Sequence, residues 1–597
     1  MAKKKVSIDY TSRDFNSIKG SLVDYAKRYY PETYQDFNEA SFGSLMLDTV
    51  SYVGDILSYY LDYQVNESFL DTAFETQNII KISRQLGYKY EDVSSAVGEI
   101  SLYALIPPNA LGLGPDANYY PIIRQGSSFS VDSGNTFTST EDIRFDNPAN
   151  EIVIGRVNEA SGLPTSYAVK AKGKIISGEI VTRRYDVGNY ERFRKIDLDD
   201  TNIVEILSVE DGDGNEYFQV DNLTQNTIYK SFPNVNQNSD TVKEFLRPVI
   251  VPRRYIYEYD GSSYYLQFGY GSEEKIKINP VADPSSVALK LHARDYVTDV
   301  NLDPSKLLET DKLGVSPSDT QLTIIYRKNT NSNSNAKTGT IKNITNLLIS
   351  FEDISSLSSS KISVIRRSME SSNENPVVGS SVSQTGEEIK QRALSHFATQ
   401  NRAVTINDYE SMVYSMPAKF GSITRCNIIL DQDSFKRNLN LYMLSTDKDD
   451  KLVLPNNTLK ENAKVWISSY KMVNDTVDII NGKIINIGIN FEIISDPDYN
   501  KSDIYAKCVN ILSERYKKSL QMGEPFYITD IYYELNRVRG VVDTQNVFFT
   551  NKTGGRYSDI TFSIEQNMSA DGRYLSCPSN VCYEIKFPQS DIKGVVK

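Results

Sequence analysis

The chain has 597 residues, 40% of them hydrophobic and 24% charged, the composition of a folded, multidomain protein rather than a disordered one. Its formal net charge is −12, a poor footprint for a nucleic-acid binder, which needs a basic face to displace counterions. Cys426, Cys508, Cys577 and Cys582 form no Cys-x-x-Cys pair, and His292 and His396 are the only histidines. Neither a disulfide framework nor a metal site is expected from this inventory.

Lys3, Lys4 and Lys5 form the only basic run, and no apolar stretch follows them. The expectation is a solvated tail, no secretory signal, and a protein made in the cytosol. Phe15, Ile18, Leu22, Tyr25 and Tyr29 recur at helical spacing, with Ser12 placed to cap the helix and Pro31 to end it. The stretch Ser41 to Val65 is the most regular in the chain. Its apolar rows are Met46, Val53 and Tyr60, then Val50 and Leu57, then Leu45, Tyr52 and Tyr59, with Phe42 at the start. Asp48, Asp55 and Asp62 run beside Ser44, Ser51 and Ser58 as a narrow polar stripe that is expected to face water. Such a helix would run roughly 37 Å at 1.5 Å per residue. Three aspartates argue against a membrane span, where each costs about 2.5 to 3.5 kcal/mol. The apolar face is too wide for one flat contact. It is either the centre of the chain's own helical domain or part of a bundle shared with other chains. The 40 tyrosines leave a similar choice between partner surfaces and a compositional habit.

Residues 66–90 predict one or two further helices ending near Gly87, which closes a helical module at 1–95. From Val97 the period changes to short strands and turns, a β-rich domain over 96–328. Asp211-Gly-Asp-Gly-Asn215 has calcium-ligand residue types, but Glu216 and Asn222 stand where an EF-hand needs Gly and Glu. A hairpin turn is expected there. Gly269-Tyr-Gly271 follows a strand with no helix after it, so a strand-end turn is expected rather than a phosphate loop. Residues 329–340 and 353–361 are polar and low in complexity, and 329–375 reads as loops and linker. Helices return at 376–416, where Thr385 with Glu388 makes a capping box ahead of Ile389, Ala393 and Phe397, and Thr405 with Asp408 caps a second helix. Strands and helices then alternate through 376–480 and 481–597, which reads as α+β.

Gly386-Glu-Glu-Ile-Lys-Gln-Arg-Ala393 and Asn401-Arg-Ala-Val-Thr-Ile-Asn-Asp-Tyr-Glu410 resemble the baseplate J-like family of contractile phage tails. NESFLDTA, LQFGYG and the ending DGRYLSCPSNVCYEIKFPQSDIKG resemble, more narrowly, the wedge subunits of T-even-like phage baseplates. One departure is Gly379-Ser-Ser-Val382, where the family often has a Gly-Gly-x-[DE] turn. The resemblance implies an α+β multidomain structural protein with an N-terminal helical module, a β-rich middle and a baseplate J-like C-terminal region. It implies no catalytic, cofactor-binding or metal residues. It also implies self-association in dimer and ring contacts around the hub, and helix contacts with other wedge proteins. It places the protein in the virion tail baseplate after assembly in the host cytoplasm.

The helix residues for a partner are then Phe42, Leu45, Met46, Val50, Val53, Leu57 and Tyr60. The motif residues Glu388, Arg392, Arg402, Thr405, Asp408 and Tyr409 take structural roles, with the Arg402 guanidinium near the Asp408 cap carboxylate. A tail-associated hydrolase and a receptor-binding tail protein are the competing functions. Against the first stand the two histidines and the absence of H-E-x-x-H and G-x-S-x-G; against the second, the absence of repeats at a fixed period.

Overall fold

The computed structural model describes residues 14–32, 38, 41–109, 112–159, 162–234, 244–272, 313–381, 384–431, 438–517 and 519–597. Lys3 to Lys5, Ser12, His292 and Val382 lie outside these residues. Internal contacts divide the chain into two units, Met1–Tyr90 with Thr385–Leu394, and Glu91–Gln384 with Ser395–Lys597. The layout is α+β and multidomain: helices first, then a body dominated by sheets.

In the first unit, α1 (Phe15–Tyr29) is capped by Asp14, whose side chain accepts from the Ser17 amide. Ser41 caps α2 (Phe42–Asn66) through the Ser44 amide. The stretch expected to give one or two further helices gives one, α3 (Thr76–Gln85). Residues 67–75 instead form turns tied by one buried carboxylate. Glu67 accepts from the amides of Phe74 and Glu75 and from Asn78 Nδ2, the first at 2.8 Å and the last at 2.9 Å.

The second unit begins with a sheet in the order 341–346, 128–131, 136–139, 164–177, 97–106 and 370–372, with 151–157 added beside 164–177. Ile100, Leu102, Ala104 and Ile106 alternate along one face and are buried with Phe129, Phe137, Val169 and Ala171. A second sheet orders 179–187, 320–328, 203–210, 216–219, 254–259, 264–268 and 195–197. It is an insertion into the first. Its ends leave and rejoin at neighbouring points, where Ser177 Oγ donates to Asn329 Oδ1 at 2.8 Å.

The expected single β-rich domain at 96–328 is therefore divided between two seven-stranded sheets, with a separate two-stranded pair at 227–233 and 244–250 and a small sheet of 122–123, 143–144 and 349–350. The expected linker at 329–375 is corrected as well: 341–346 and 370–372 are strands of the first sheet, and Ser359–Arg367 is a helix. Nor is the polar run at 329–340 an exposed loop. Asn329, Ser334, Asn335 and Ala336 are buried. The Asn335 amide donates to the carbonyls of Ser380 and Thr446, each at 3.1 Å, and its oxygen accepts from the Ser380 amide at 2.9 Å. Low hydrophobicity here reflects hydrogen bonds that pair buried backbone, which apolar side chains cannot supply.

Asp211 turns the hairpin at 209–217, its carboxylate accepting from the amides of Asp213 and Asn215. Gly269 lies so close to the backbone of Gly314 that an added Cβ would sit 2.2 Å from the Gly314 carbonyl oxygen. The glycine there serves close approach of two chain segments.

The C-terminal residues build two four-stranded sheets and a two-stranded pair of 526–527 with 574–575. Strand 438–446 lies antiparallel to 425–430 and parallel to 476–481, with helix Asn457–Ser468 in the crossover. Strand 483–495 is central to the last sheet, antiparallel to 541–552 and parallel to 581–584 and 592–596. Its alternate residues Ile485, Ile487, Ile489, Phe491 and Ile493 are buried in one core with Leu512, Ile531 and Leu535 of the helices Lys501–Arg515 and Ile528–Asn536.

Candidate assembly interface

The seam between α1 and α2 reverses the expectation for the polar stripe. Ser44 and Ser51 are the buried residues of α2. Ser51 is fully inaccessible, and its hydroxyl donates to the Leu47 carbonyl of its own helix at 2.7 Å. Lys19 of α1 reaches Asp48 at 2.6 Å, and the Cβ position of Gly54 is 3.2 Å from the Ile18 side chain. Small side chains let the two helices approach closely, and one charge pair fixes their register. None of the 15 residues of α1 is fully buried.

The apolar rows consequently stay open. Phe42, Leu45, Met46, Val50, Val53, Leu57 and Tyr60 are 49 to 75% exposed. Burial of a large apolar side chain is worth about 1.5 to 3 kcal/mol. The six from Leu45 to Tyr60 are already about half covered, so together they forgo a gross amount of about 5 to 10 kcal/mol, still comparable with the net stability of a whole domain. Tyr52, Tyr59, Leu61 and Val65 extend the same open surface, and Tyr59 stacks on Tyr63 with ring centroids 6.4 Å apart. Tyr63 in turn donates to Glu75 at 3.0 Å. Phe69 and Phe74, 62% and 86% exposed, are additions that periodicity could not find, because they sit in the turns held by Glu67. Hydrogen bonds from Asn78 and the Phe74 amide keep the Glu67 carboxyl below the ordinary carboxylate range.

The motif residues fall in both units. Thr385 and Glu388 form the expected box: the Thr385 amide donates to the Glu388 carboxylate at 2.9 Å, and the Glu388 amide to the Thr385 hydroxyl at 3.4 Å. This opens the helix Gly386–Thr399, whose residues up to Leu394 group with the N-terminal helices. Lys390 donates to the Asp71 carbonyl at 3.2 Å and to Glu387 at 2.8 Å. Ile389 and Ala393 are inaccessible and Arg392 is half-buried, whereas Phe397, expected on the same face, is exposed.

In the second unit Thr405 and Asp408 form a complete capping box on the helix Ile406–Tyr414. The expected approach of Arg402 to the Asp408 carboxylate is not made: its guanidinium donates to Gln400 at 3.1 Å. The Asp408 carboxylate is taken instead by the amides of Val404 and Thr405. Tyr409 is buried and donates to Asp475 at 2.7 Å. Among the described residues no group of three or more His, Cys, Asp or Glu side chains is placed to hold a metal ion, and no helix is long and apolar enough to cross a membrane.

Residues 14–85 match the family model described as "Bacteriophage baseplate protein, N-terminal domain". No curated protein matches the chain. Among solved structures, a chain of the anti-feeding prophage (AFP) baseplate, 6-fold symmetrised and determined by cryo-EM, aligns over 97% of this chain and 99% of its own, at 9% identity and a TM-score of 0.27. That score is too low to bear on the fold. The segment that carries α1, α2 and α3 is thus the part of this chain similar to the N-terminal domain of bacteriophage baseplate proteins.

Proposed function

We propose that this chain is a structural subunit of a contractile phage tail baseplate, placed in the wedge, with no catalytic role and no cofactor. The observation that carries the reading is the inverted α2: its small polar row is used against α1, and its wide apolar face is left for helices of other chains. The match of residues 14–85 to a baseplate N-terminal domain supports a structural baseplate subunit. In this reading α2 enters a bundle with other wedge proteins. Residues 376–597 supply self-association in a ring around the hub, and the complex is assembled in the host cytoplasm before it joins the virion tail.

The test is Val53→Asp in the full chain, co-expressed with the neighbouring wedge proteins and followed by sedimentation. Val53 is exposed in the free chain, so the variant keeps the wild-type circular dichroism. Once buried against a partner, an unpaired charge costs several kcal/mol, and the variant stays out of the complex. A variant that enters the complex normally removes this face as an interface. A variant unfolded on its own makes α2 internal core instead.

A further inference from the structure

An open cavity of about 710 Å³ lies near the C-terminus, lined by Lys451, the turn from Gly554 to Tyr557, and residues Lys586 to Ser590. Three of its lining residues, Lys451, Arg556 and Lys586, are cationic and none is acidic. In a chain of net charge −12 this concentration of one sign is unusual. None of the three forms an ion pair among the described residues.

The nearby carboxylates are occupied elsewhere. Asp591 is buried and accepts from the Phe587 amide at 2.8 Å and the Tyr557 hydroxyl at 2.6 Å, so it pins the two walls together from behind. Glu584 is buried and accepts from the Leu452 amide at 2.8 Å and Asn486 Nδ2 at 2.9 Å. Beside Lys451, Asp447 takes the amides of Asp449 and Lys451, Asp449 pairs with Lys337 at 2.6 Å, and Asp450 accepts from Asn333 at 3.3 Å. Burial raises the Glu584 carboxyl, and the charges of Lys451 and Lys586 act on it only through space, so the three cations line the cavity without an ion pair to any carboxylate among the described residues. The rings of Tyr557 and Phe587 on the wall meet edge to face with centroids 5.7 Å apart.

We infer that this cavity is a binding site for a multiply charged anion, carrying phosphate or clustered carboxylates and held by Lys451, Arg556 and Lys586. The volume lies within the range of small-ligand sites, about 300 to 1,000 Å³, and exceeds what one chloride needs. A charge-assisted hydrogen bond is worth about 1.5 to 3 kcal/mol, so each cation contributes roughly tenfold or more in affinity.

The test is isothermal titration of the full chain with pyrophosphate and, separately, with citrate, at low and at 0.5 M salt. The expected result is saturable one-to-one binding of one or both, weakened by salt. Arg556→Ala, which changes an exposed residue, should weaken it about tenfold. Lys342→Ala, an exposed lysine outside the cavity, should leave it unchanged. Tighter binding of pyrophosphate identifies a phosphorylated ligand; tighter binding of citrate identifies carboxylates such as those of an acidic peptide. No saturable binding of either anion, or equal weakening by Arg556→Ala and Lys342→Ala, overturns the site.

Discussion

Asn335 shows how one polar residue can hold a fold together. Removing its amide leaves the Ser380 amide and the carbonyls of Ser380 and Thr446 without this partner in a buried place. Each unsatisfied group costs about 1 to 3 kcal/mol, and partial relaxation lowers the sum. Asn335→Ala should therefore destabilise the second unit by about 2 to 4 kcal/mol in urea unfolding, whereas a surface change such as Lys342→Ala should stay within about 0.5 kcal/mol. Glu374 sets a pH dependence. It meets Lys170 at 2.5 Å and Lys172 at 3.3 Å, and the Lys170 hydrogen bond holds its carboxyl at about 2. A depressed carboxyl contributes stability that is complete above its unfolded value, near 4.5, and is lost as pH falls towards 2. The group is 39% exposed, so solvent screening limits the contribution to about 1 kcal/mol or less. Glu374→Gln should flatten the stability curve of the full chain between pH 4.5 and 2 and leave its slope at neutral pH unchanged. An unaltered acid limb would show that the pair contributes nothing measurable.

At the scale of elements, α2 separates what packs inside the chain from what is left open. Ser51 is inaccessible against α1, so Ser51→Leu adds volume where there is none and should push the helices apart. Overpacking of this kind costs about 1 to 3 kcal/mol. In the isolated chain its thermal unfolding should be altered more than that of Val53→Asp, which changes an exposed residue; the opposite order would put the seam on the wrong face. Asp55, on the same polar row, is half-buried rather than fully hydrated. The caps were more legible. The box Thr405-x-x-Asp408 closes over three residues, and its geometry depends on little beyond them. Arg402 was not legible, because a long flexible side chain beside a carboxylate in sequence has many rotamers, and here two backbone amides hold Asp408 by its Oδ2.

The whole molecule is discontinuous in a way that yields its own test. Residues 179–328 leave the first sheet at Ser177 and return at Asn329, and these two side chains are hydrogen-bonded. Replacing 179–328 by a short Gly-Ser link should leave the first sheet folded, with a cooperative transition and resistance to proteolysis, because its own core is made by residues on either side of the insertion. Loss of cooperative folding would show that the two sheets depend on each other. Residues 376–597 are less separable than their sequence pattern implies. Tyr409, Leu441 and Leu459 share one core with Val97 and Ile176 of the first sheet.

By itself the sequence determined what depends on near neighbours: the length and amphipathicity of α2, the two capping boxes, the hairpin at Asp211, and the alternation that buries Ile487, Ile489 and Phe491 on one face. Those features follow from the 3.6- and 2-residue periods and from hydrogen bonds over a few residues. Only the tertiary structure decided which face of α2 would be used, that 341–346 and 370–372 join the first sheet, and that the β-rich region is built on two large sheets rather than one. Each rests on contacts between residues far apart in the chain. The close approach of α1 needs Gly54 and Ser51 to meet a particular neighbour, and no local pattern specifies that neighbour. A wide apolar face and a narrow polar row look the same in sequence whichever of them finds a partner first. Here small side chains admitted α1 on the polar row, and the apolar rows remained open.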